Sequence, residues 1–289
     1  MKKLLFLSLL AFAATACNDD DGPEAPYYTG RTGPLVNTVT EIAGTHKTIS
    51  TYTYDQDGRI TRLVKVSQQD GTTTSTSDYT IIYNADRVVV NMEYSDPDDN
   101  QYNYTQRTDI QLNRQGRMTA STSEWTEVGT KIQSSQTAKY DNDNRLTSVF
   151  SETKVSRSGN KIDQINTIDA SYTWADGKIV SGTQTNTTKF GDGSPSTVTA
   201  EISFTYSNTK NSTPLTFVAD PIEQELGLLG DLSPYLLQKA DTRITFSSTN
   251  TDTQTDELAS RVDAQGRISG ITITTDGSTR ETWEFTYKN

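Results

Sequence analysis

One short motif constrains this chain more than any other feature: an apolar or aromatic residue, Asp or Asn, two further residues, Gly or Asn, then a cation and another apolar residue. It reads Tyr54-Asp55-Gln56-Asp57-Gly58-Arg59-Ile60-Thr61, and returns as Leu112-Asn113-Arg114-Gln115-Gly116-Arg117-Met118-Thr119. Two more full copies are Tyr140-Asp141-Asn142-Asp143-Asn144-Arg145-Leu146-Thr147 and Val262-Asp263-Ala264-Gln265-Gly266-Arg267-Ile268-Ser269. Shorter versions stand at Tyr83-Asn84-Ala85-Asp86-Arg87-Val88 and Trp174-Ala175-Asp176-Gly177-Lys178-Ile179, and a worn one at Tyr206-Ser207-Asn208. The copies recur about every 28–34 residues, with one double interval between Tyr206 and Val262, which marks a repeat array.

The residues before each motif alternate. Tyr79, Ile81 and Tyr83 do so, as do Ile168, Ala170, Tyr172 and Trp174, and Val198, Ala200, Ile202, Phe204 and Tyr206. Period two with one apolar face is a half-buried antiparallel strand. The Asp/Asn-x-x-Gly/Asn tetrad supplies side-chain turn bonds and a residue tolerant of positive φ. The chain then leaves as a second strand, clearest in Val88, Val90, Met92 and Tyr94. Each repeat is therefore a hairpin, joined to the next by polar loops such as Ser95-Asp96-Pro97-Asp98-Asp99-Asn100.

Counting hairpins predicts an all-β protein, a large antiparallel meander of roughly 14–16 strands, more than a flat open sheet carries without curling. Twist should roll it into a strongly curved or barrel-like sheet. The aromatic column of Tyr54, Tyr83, Tyr140, Trp174, Tyr206 and Tyr287 is expected to pack the buried face near the turns. One segment, about 220–238, breaks the pattern. Asp220-Pro221 followed by Glu223 and Glu225 reads as a helix start, and Gly230 as a stop, predicting a short leucine-rich helical insert that tucks against the sheet and closes an end or plugs the lumen.

Only 32% of the chain is hydrophobic, with abundant Thr, Ser and Tyr, which suits thin sheets with a solvated face. The net charge of −11, with no basic block, disfavours nucleic acid as a partner.

The first residues read as an export signal: Lys2 and Lys3, an apolar run from Leu4 to Ala14, then Ala14-Thr15-Ala16-Cys17. The run is about a dozen residues, shorter than the about 20 a spanning helix needs. Cys17 is the only cysteine, so no internal disulfide exists. Asn18-Asp19-Asp20-Asp21 and Gly22-Pro23-Glu24-Ala25-Pro26 cannot form a core. The expected division is a signal peptide at 1–16, an acidic tether at 17–34 and one β-repeat domain at 35–289.

Chemistry is thinly supported. His46 is the only histidine, which excludes a histidine-based metal cluster, and no nucleophile motif lies near it. Asp55 and Asp57, like Asp141 and Asp143, resemble part of a calcium loop but lack the full ligand set, and turn chemistry accounts for them. Arg59, Arg87, Arg117, Arg145, Lys178 and Arg267 should line one rim beside the turn carboxylates. No catalytic residue, cofactor site or metal site is assigned.

Several segments resemble known families. Ala14-Thr15-Ala16-Cys17 resembles a bacterial lipobox, which implies acylation at Cys17 and outer-membrane lipid as a partner. The acidic run after it resembles the export signal that Bacteroidota place behind the lipidated cysteine, which implies the cell exterior. Tyr52-Thr53-Tyr54-Asp55-Gln56-Asp57-Gly58-Arg59-Ile60-Thr61-Arg62-Leu63 resembles the YD repeat of RHS-type proteins. The leader, the hairpins and Glu225-Leu226-Gly227-Leu228-Leu229-Gly230 with Pro234-Tyr235-Leu236 resemble Bacteroidota lipoproteins of the DUF4595 family. That family has a porin-like fold and no assigned activity, and the resemblance covers most of 35–289. The leading expectation is a surface lipoprotein serving as a scaffold for a glycan or a surface protein. The alternatives are a carboxylate-based hydrolase of envelope polysaccharide and a membrane-spanning barrel.

Overall fold

A computed structural model describes residues 34–157, 162–210, 226–229, 233–247 and 250–288. Sixteen strands run through the described residues. The first eight are β1 Val36–Ala43, β2 His46–Tyr54, β3 Ile60–Gln69, β4 Thr72–Tyr83, β5 Arg87–Ser95, β6 Tyr104–Leu112, β7 Met118–Glu127 and β8 Thr130–Tyr140. The second eight are β9 Leu146–Ser156, β10 Gln164–Ala175, β11 Lys178–Phe190, β12 Ser196–Lys210, β13 Tyr235–Ser247, β14 Asn250–Val262, β15 Ile268–Thr275 and β16 Ser278–Tyr287. Each pairs antiparallel with its sequence neighbours, and β1 pairs with β16, so the meander closes into a barrel. Closure removes both sheet edges, the strongest reason for a long meander to roll up fully.

The motif turns lie at one end. In the first copy Asp55 Oδ1 accepts the N–H groups of Asp57 and Arg59, both at 3.0 Å, and Gly58 N–H donates to the Asp55 carbonyl at 3.2 Å. Gly58 sits at φ +76°, a left-handed conformation that glycine adopts without a Cβ clash. Asp141 and Asp263 repeat the arrangement. The aromatic column works from the neighbouring strand. Tyr83 donates its hydroxyl to Ile60 O at 3.0 Å, Tyr140 to Met118 O at 2.8 Å and Tyr287 to Ile268 O at 2.7 Å. Trp174 Nε1 donates to Leu146 O at 2.7 Å. Each bond ties the end of one strand to the start of its partner and fixes the register there.

The core occupies this same end. Leu63, Val88, Ile110, Met118 and Ile179 are fully buried, and Tyr54, Tyr83, Tyr140, Trp174, Tyr206 and Tyr287 pack around them, as expected for the column. Leu226, Leu228 and Leu229 join the cluster from the β12–β13 connection. Leu228 O accepts the Met118 N–H at 2.9 Å and Gly227 O accepts from Arg117 Nη1 at 3.3 Å, which moors this segment to the β6–β7 turn.

The helical insert expected over about 220–238 is corrected in part. Residues 226–229 form a turn, and from Tyr235 the chain is already β13, with Leu237 opposite Tyr206 on β12. Residues 220–225 and 230–232 lie outside the described residues. The ladder to β12 satisfies the backbone that a helix would have satisfied internally, while the leucines reach the core either way. Their expected role, closing an end, is the one they perform. The only helical turn among the described residues is a 3₁₀ turn at Asn100–Tyr102.

Candidate functional site

Alternation assigns each strand residue to the inside or the outside of the barrel. Away from the motif end the inward positions change from apolar to polar. On β8 the sequence inward is Ala138, Gln136, Ser134, Ile132; on β9 it is Val149, Ser151, Thr153, Val155; on β10 it is Ala170, Ile168, Asn166, Gln164. Solvent access changes at the same level. Ala170 is 5% exposed, whereas Ile168, the next inward residue, is 39% exposed. Further inward-facing residues at the far end are Phe246 at 47% and Phe190 at 62%. The barrel is thus filled at the motif end and open to water at the other.

Register places three inward rows across this open wall. The deepest joins Gln136, Ser151, Ile168, Asn186 and Val198. The next joins Ser134, Thr153, Asn166 and Thr188, and the outermost joins Ile132, Val155, Gln164 and Phe190. Two amide pairs stand side by side: Gln164 Nε2 donates to Asn166 Oδ1 at 2.9 Å, and Gln184 Nε2 donates to Asn186 Oδ1 at 3.0 Å. Each pair uses one N–H and one oxygen, leaving further donors and acceptors facing the cavity. Gln136 Oε1 is buried with no hydrogen-bond partner among the described residues. An unsatisfied buried carbonyl of this kind carries a desolvation penalty of about 1–3 kcal/mol.

A second inward group spans β5 to β7. Tyr94 and Tyr104 stack at 5.0 Å between centroids, and Tyr104 and Trp125 at 6.3 Å. Their faces are turned largely to one another, so the trio is a rigid wall more than an open stacking platform. Burial pushes the Tyr104 phenol up to about 12, with Glu127, Tyr79 and Tyr94 adding to the shift. It therefore stays a hydrogen-bond donor at any physiological pH.

The outward positions are charged. Arg62 pairs with Asp78 at 2.5 Å, Arg107 with Asp109 at 2.8 Å, Lys131 with Glu124 at 3.0 Å and Lys239 with Asp241 at 2.9 Å. Two shallow outer depressions, of about 890 and 430 Å³, share Glu124 as a wall. The first has Asp78 and Glu93 on its other sides, and Lys154 and Glu152 border the second. Most of these charges neutralise one another.

The residues singled out in the sequence stand elsewhere. His46 is exposed at the start of β2, opposite Ala43 and Gln69. The turn carboxylates are occupied: Asp55 binds Arg59 Nε, Asp141 binds Arg145 Nε and Asp263 binds Arg267 Nε, each at 2.7 Å. Arg59, Arg145 and Arg267 also cover the rings of Tyr83, Trp174 and Tyr287. Lys178 lies between the rings of Tyr206 and Tyr235, and Arg117 reaches Gly227. Five of the six expected cations gather at the filled end and lock it, whereas Arg87 stands outside that set, 3.9 Å from Asp109 on β6. Cys17 lies outside the described residues. The inner wall was missed because Gln136, Gln164, Asn166, Gln184 and Asn186 alternate like any strand residues; adjacent i,i+2 amides on consecutive strands were the available signal.

These features define a class of protein, a closed sixteen-stranded antiparallel barrel with a charged outside, one filled end and one open end. Among solved structures it is similar to a porin-like protein from Bacteroides vulgatus ATCC 8482, with a TM-score of 0.58 and 13% identity over 88% of this chain and 99% of that one. It is similar also to a porin-like protein from Bacteroides uniformis ATCC 8492, with a TM-score of 0.53 and 12% identity over 90% of this chain and 100% of that one. The fold is therefore porin-like. In sequence, the chain matches no protein-family model and no curated protein.

Proposed function

We propose that the mature chain begins at Cys17, is acylated there, and stands on the outer face of the outer membrane as a non-enzymatic scaffold that binds a glycan or a protein partner. The leader, the acidic run behind Cys17 and the resemblance to Bacteroidota lipoproteins of the DUF4595 family support the address. The observation that carries the reading is the charged outer surface of the barrel. An Arg or Lys on the lipid face of a barrel costs about 2–4 kcal/mol at mid-bilayer, and here Arg62, Arg107, Lys131, Lys154 and Lys239 all face outward with carboxylate partners. Such a surface suits water, and an anchor then supplies what the barrel wall does not. Two or more acyl chains, at about 0.8 kcal/mol per buried CH₂, give stable attachment. The closed barrel and its porin-like neighbours are what a spanning barrel would share, and the outward ion pairs weigh against that reading. The hydrolase reading requires a pair of carboxyls across a cleft; inward carboxylates stand on β1, β14 and β16, where Asp256 already accepts from Gln254 and Thr275 and Glu281 from Trp283.

Labelling with an alkyne fatty acid tests the anchor. The intact chain should take up label, Cys17→Ala should not, and protease added to whole cells should degrade the labelled protein. An unlabelled wild-type chain, or a body that needs detergent once the leader and Cys17 are removed, overturns the reading.

A further inference from the structure

We infer that the inner wall over β8–β12, at the open end, is a binding surface for an uncharged oligosaccharide chain; this rests on the surface scaffold reading and names its ligand class.

Charge comes first. In a chain of net charge −11 with an outer face full of ion pairs, the three inward rows of this wall contain no Lys, Arg, Asp or Glu; the inward charges Glu41, Lys65, Asp252, Asp256 and Glu281 stand on strands outside it. A charged ligand held against this wall would give up water and meet no counter-ion on it, which is unfavourable. An uncharged ligand carries no such penalty. Nucleic acid, with a phosphate at every step, is the worst fit.

Hydrogen-bond chemistry narrows the class. Gln164, Asn166, Gln184 and Asn186 present amides side by side on adjacent strands, and Ser151, Thr153 and Thr188 add hydroxyls. A planar amide offers a donor and an acceptor about as far apart as two neighbouring hydroxyls of a sugar ring, and each such hydroxyl both donates and accepts. Gln136 Oε1 is an acceptor already stripped of water at the base of the same wall, and a ligand hydroxyl would satisfy it.

The apolar groups fit the same ligand. Phe190, 62% exposed, ends the outermost row, and Ile168, 39% exposed, stands in the deepest. A sugar ring has an apolar C–H face that lies against such groups while its rim hydroxyls bond to the amides. Five neighbouring strands spaced about 4.8 Å apart make the wall about 19 Å wide, room for a chain rather than a single sugar. A peptide is the weaker occupant, because extended peptides are captured at a free sheet edge and this barrel has none.

The test uses residues 22–289, which contain all sixteen strands, in affinity electrophoresis and calorimetry. The panel holds neutral polysaccharides (dextran, mannan, xyloglucan, arabinoxylan) and acidic ones (polygalacturonate, hyaluronan). At least one neutral polymer should bind, and Asn186→Leu, Gln164→Leu and Phe190→Ala should each weaken it at least tenfold with an unchanged melting temperature. Glu124→Gln on the outer face should bind as the parent does. Phe190 is solvent-exposed, so its truncation keeps the test valid if an amide variant misfolds. Binding only to acidic polymers, no binding to any neutral one, or binding indifferent to all three wall variants overturns the inference. If labelling and protease access still place the chain on the surface, that result leaves the scaffold reading standing. Neutral binding by a chain that is never displayed would do the reverse.

Discussion

A single change in the second motif copy shows how much one atom can redirect. Asn113 stands where Asp55, Asp141 and Asp263 stand in the other full copies, and its Oδ1 still accepts the Gln115 and Arg117 N–H groups at 3.0 Å. What it cannot offer is a second carboxylate oxygen to hold the guanidinium, and Arg117 turns instead to Gly227 O. Asn113 also shows that an amide serves the turn, which sets up a clean pH experiment. At Asp55 burial pushes the carboxyl up, but the Arg59 N–H, its guanidinium and the Asp57 N–H outweigh it and hold the carboxyl below its ordinary range. At Asp141 the Arg145 guanidinium is the main cause of a similar lowering. At Asp263 burial is again outweighed, chiefly by the Arg267 N–H. A carboxyl depressed in the folded state contributes stability in full above the unfolded value, near 4, and loses it as pH falls through the folded value. The melting temperature should therefore hold steady from neutral pH down to about pH 5 and drop below about pH 4. The triple variant Asp55→Asn, Asp141→Asn, Asp263→Asn should show a shallower acid drop when melting is followed by circular dichroism. A second residue is strained: Val128 sits at φ +46° ahead of Gly129 at +71°, the place held by Asp70 and Asp276 in equivalent two-residue turns. A β-branched side chain is unfavourable there by about 1–2 kcal/mol, so Val128→Asn should raise stability by about 1 kcal/mol in urea titration.

At the level of elements, the aromatic clamps decide whether a strand holds its register. Tyr140→Phe removes one hydroxyl bond to Met118 O while keeping the ring in the core. A loss of about 0.5–1.5 kcal/mol is expected by equilibrium unfolding, with no change in the strand content seen by circular dichroism. An unchanged stability would mean the clamp is only packing. The strands and turns were readable because alternation and Asp-x-x-Gly are local properties. Tyr79, Ile81 and Tyr83 announce β4 without reference to anything else. The clamp acceptors were not readable, since Leu146 O belongs to a strand 28 residues from Trp174. The worn copy at Tyr206 marks the point where a turn gives way to the long β12–β13 connection. There Asp220-Pro221, the acidic residues after it and Gly230 suggested a helix, and buried leucines look alike whether a turn, a strand or a helix delivers them.

For the whole molecule, the count of hairpins pointed to a curved meander, while closure depends on β1 meeting β16, a pairing between residues such as Val39 and Phe285 that no local pattern records. The candidate wall was hidden for a related reason. Ala170 and Ile168 are both apolar neighbours on one face, and only the assembled barrel shows that the filling stops between them. Strand parity adds a last consequence. An even number of antiparallel strands returns the chain to the end where it began, and Val36 indeed faces Tyr287 while Lys288 N–H bonds to Leu35 O at 2.9 Å. Both termini therefore leave from the leucine-filled base. Anything that holds the protein through the segment ahead of β1, the proposed Cys17 anchor included, suspends it by that base like a cup fixed by its foot. Its open rim then points away from whatever holds it.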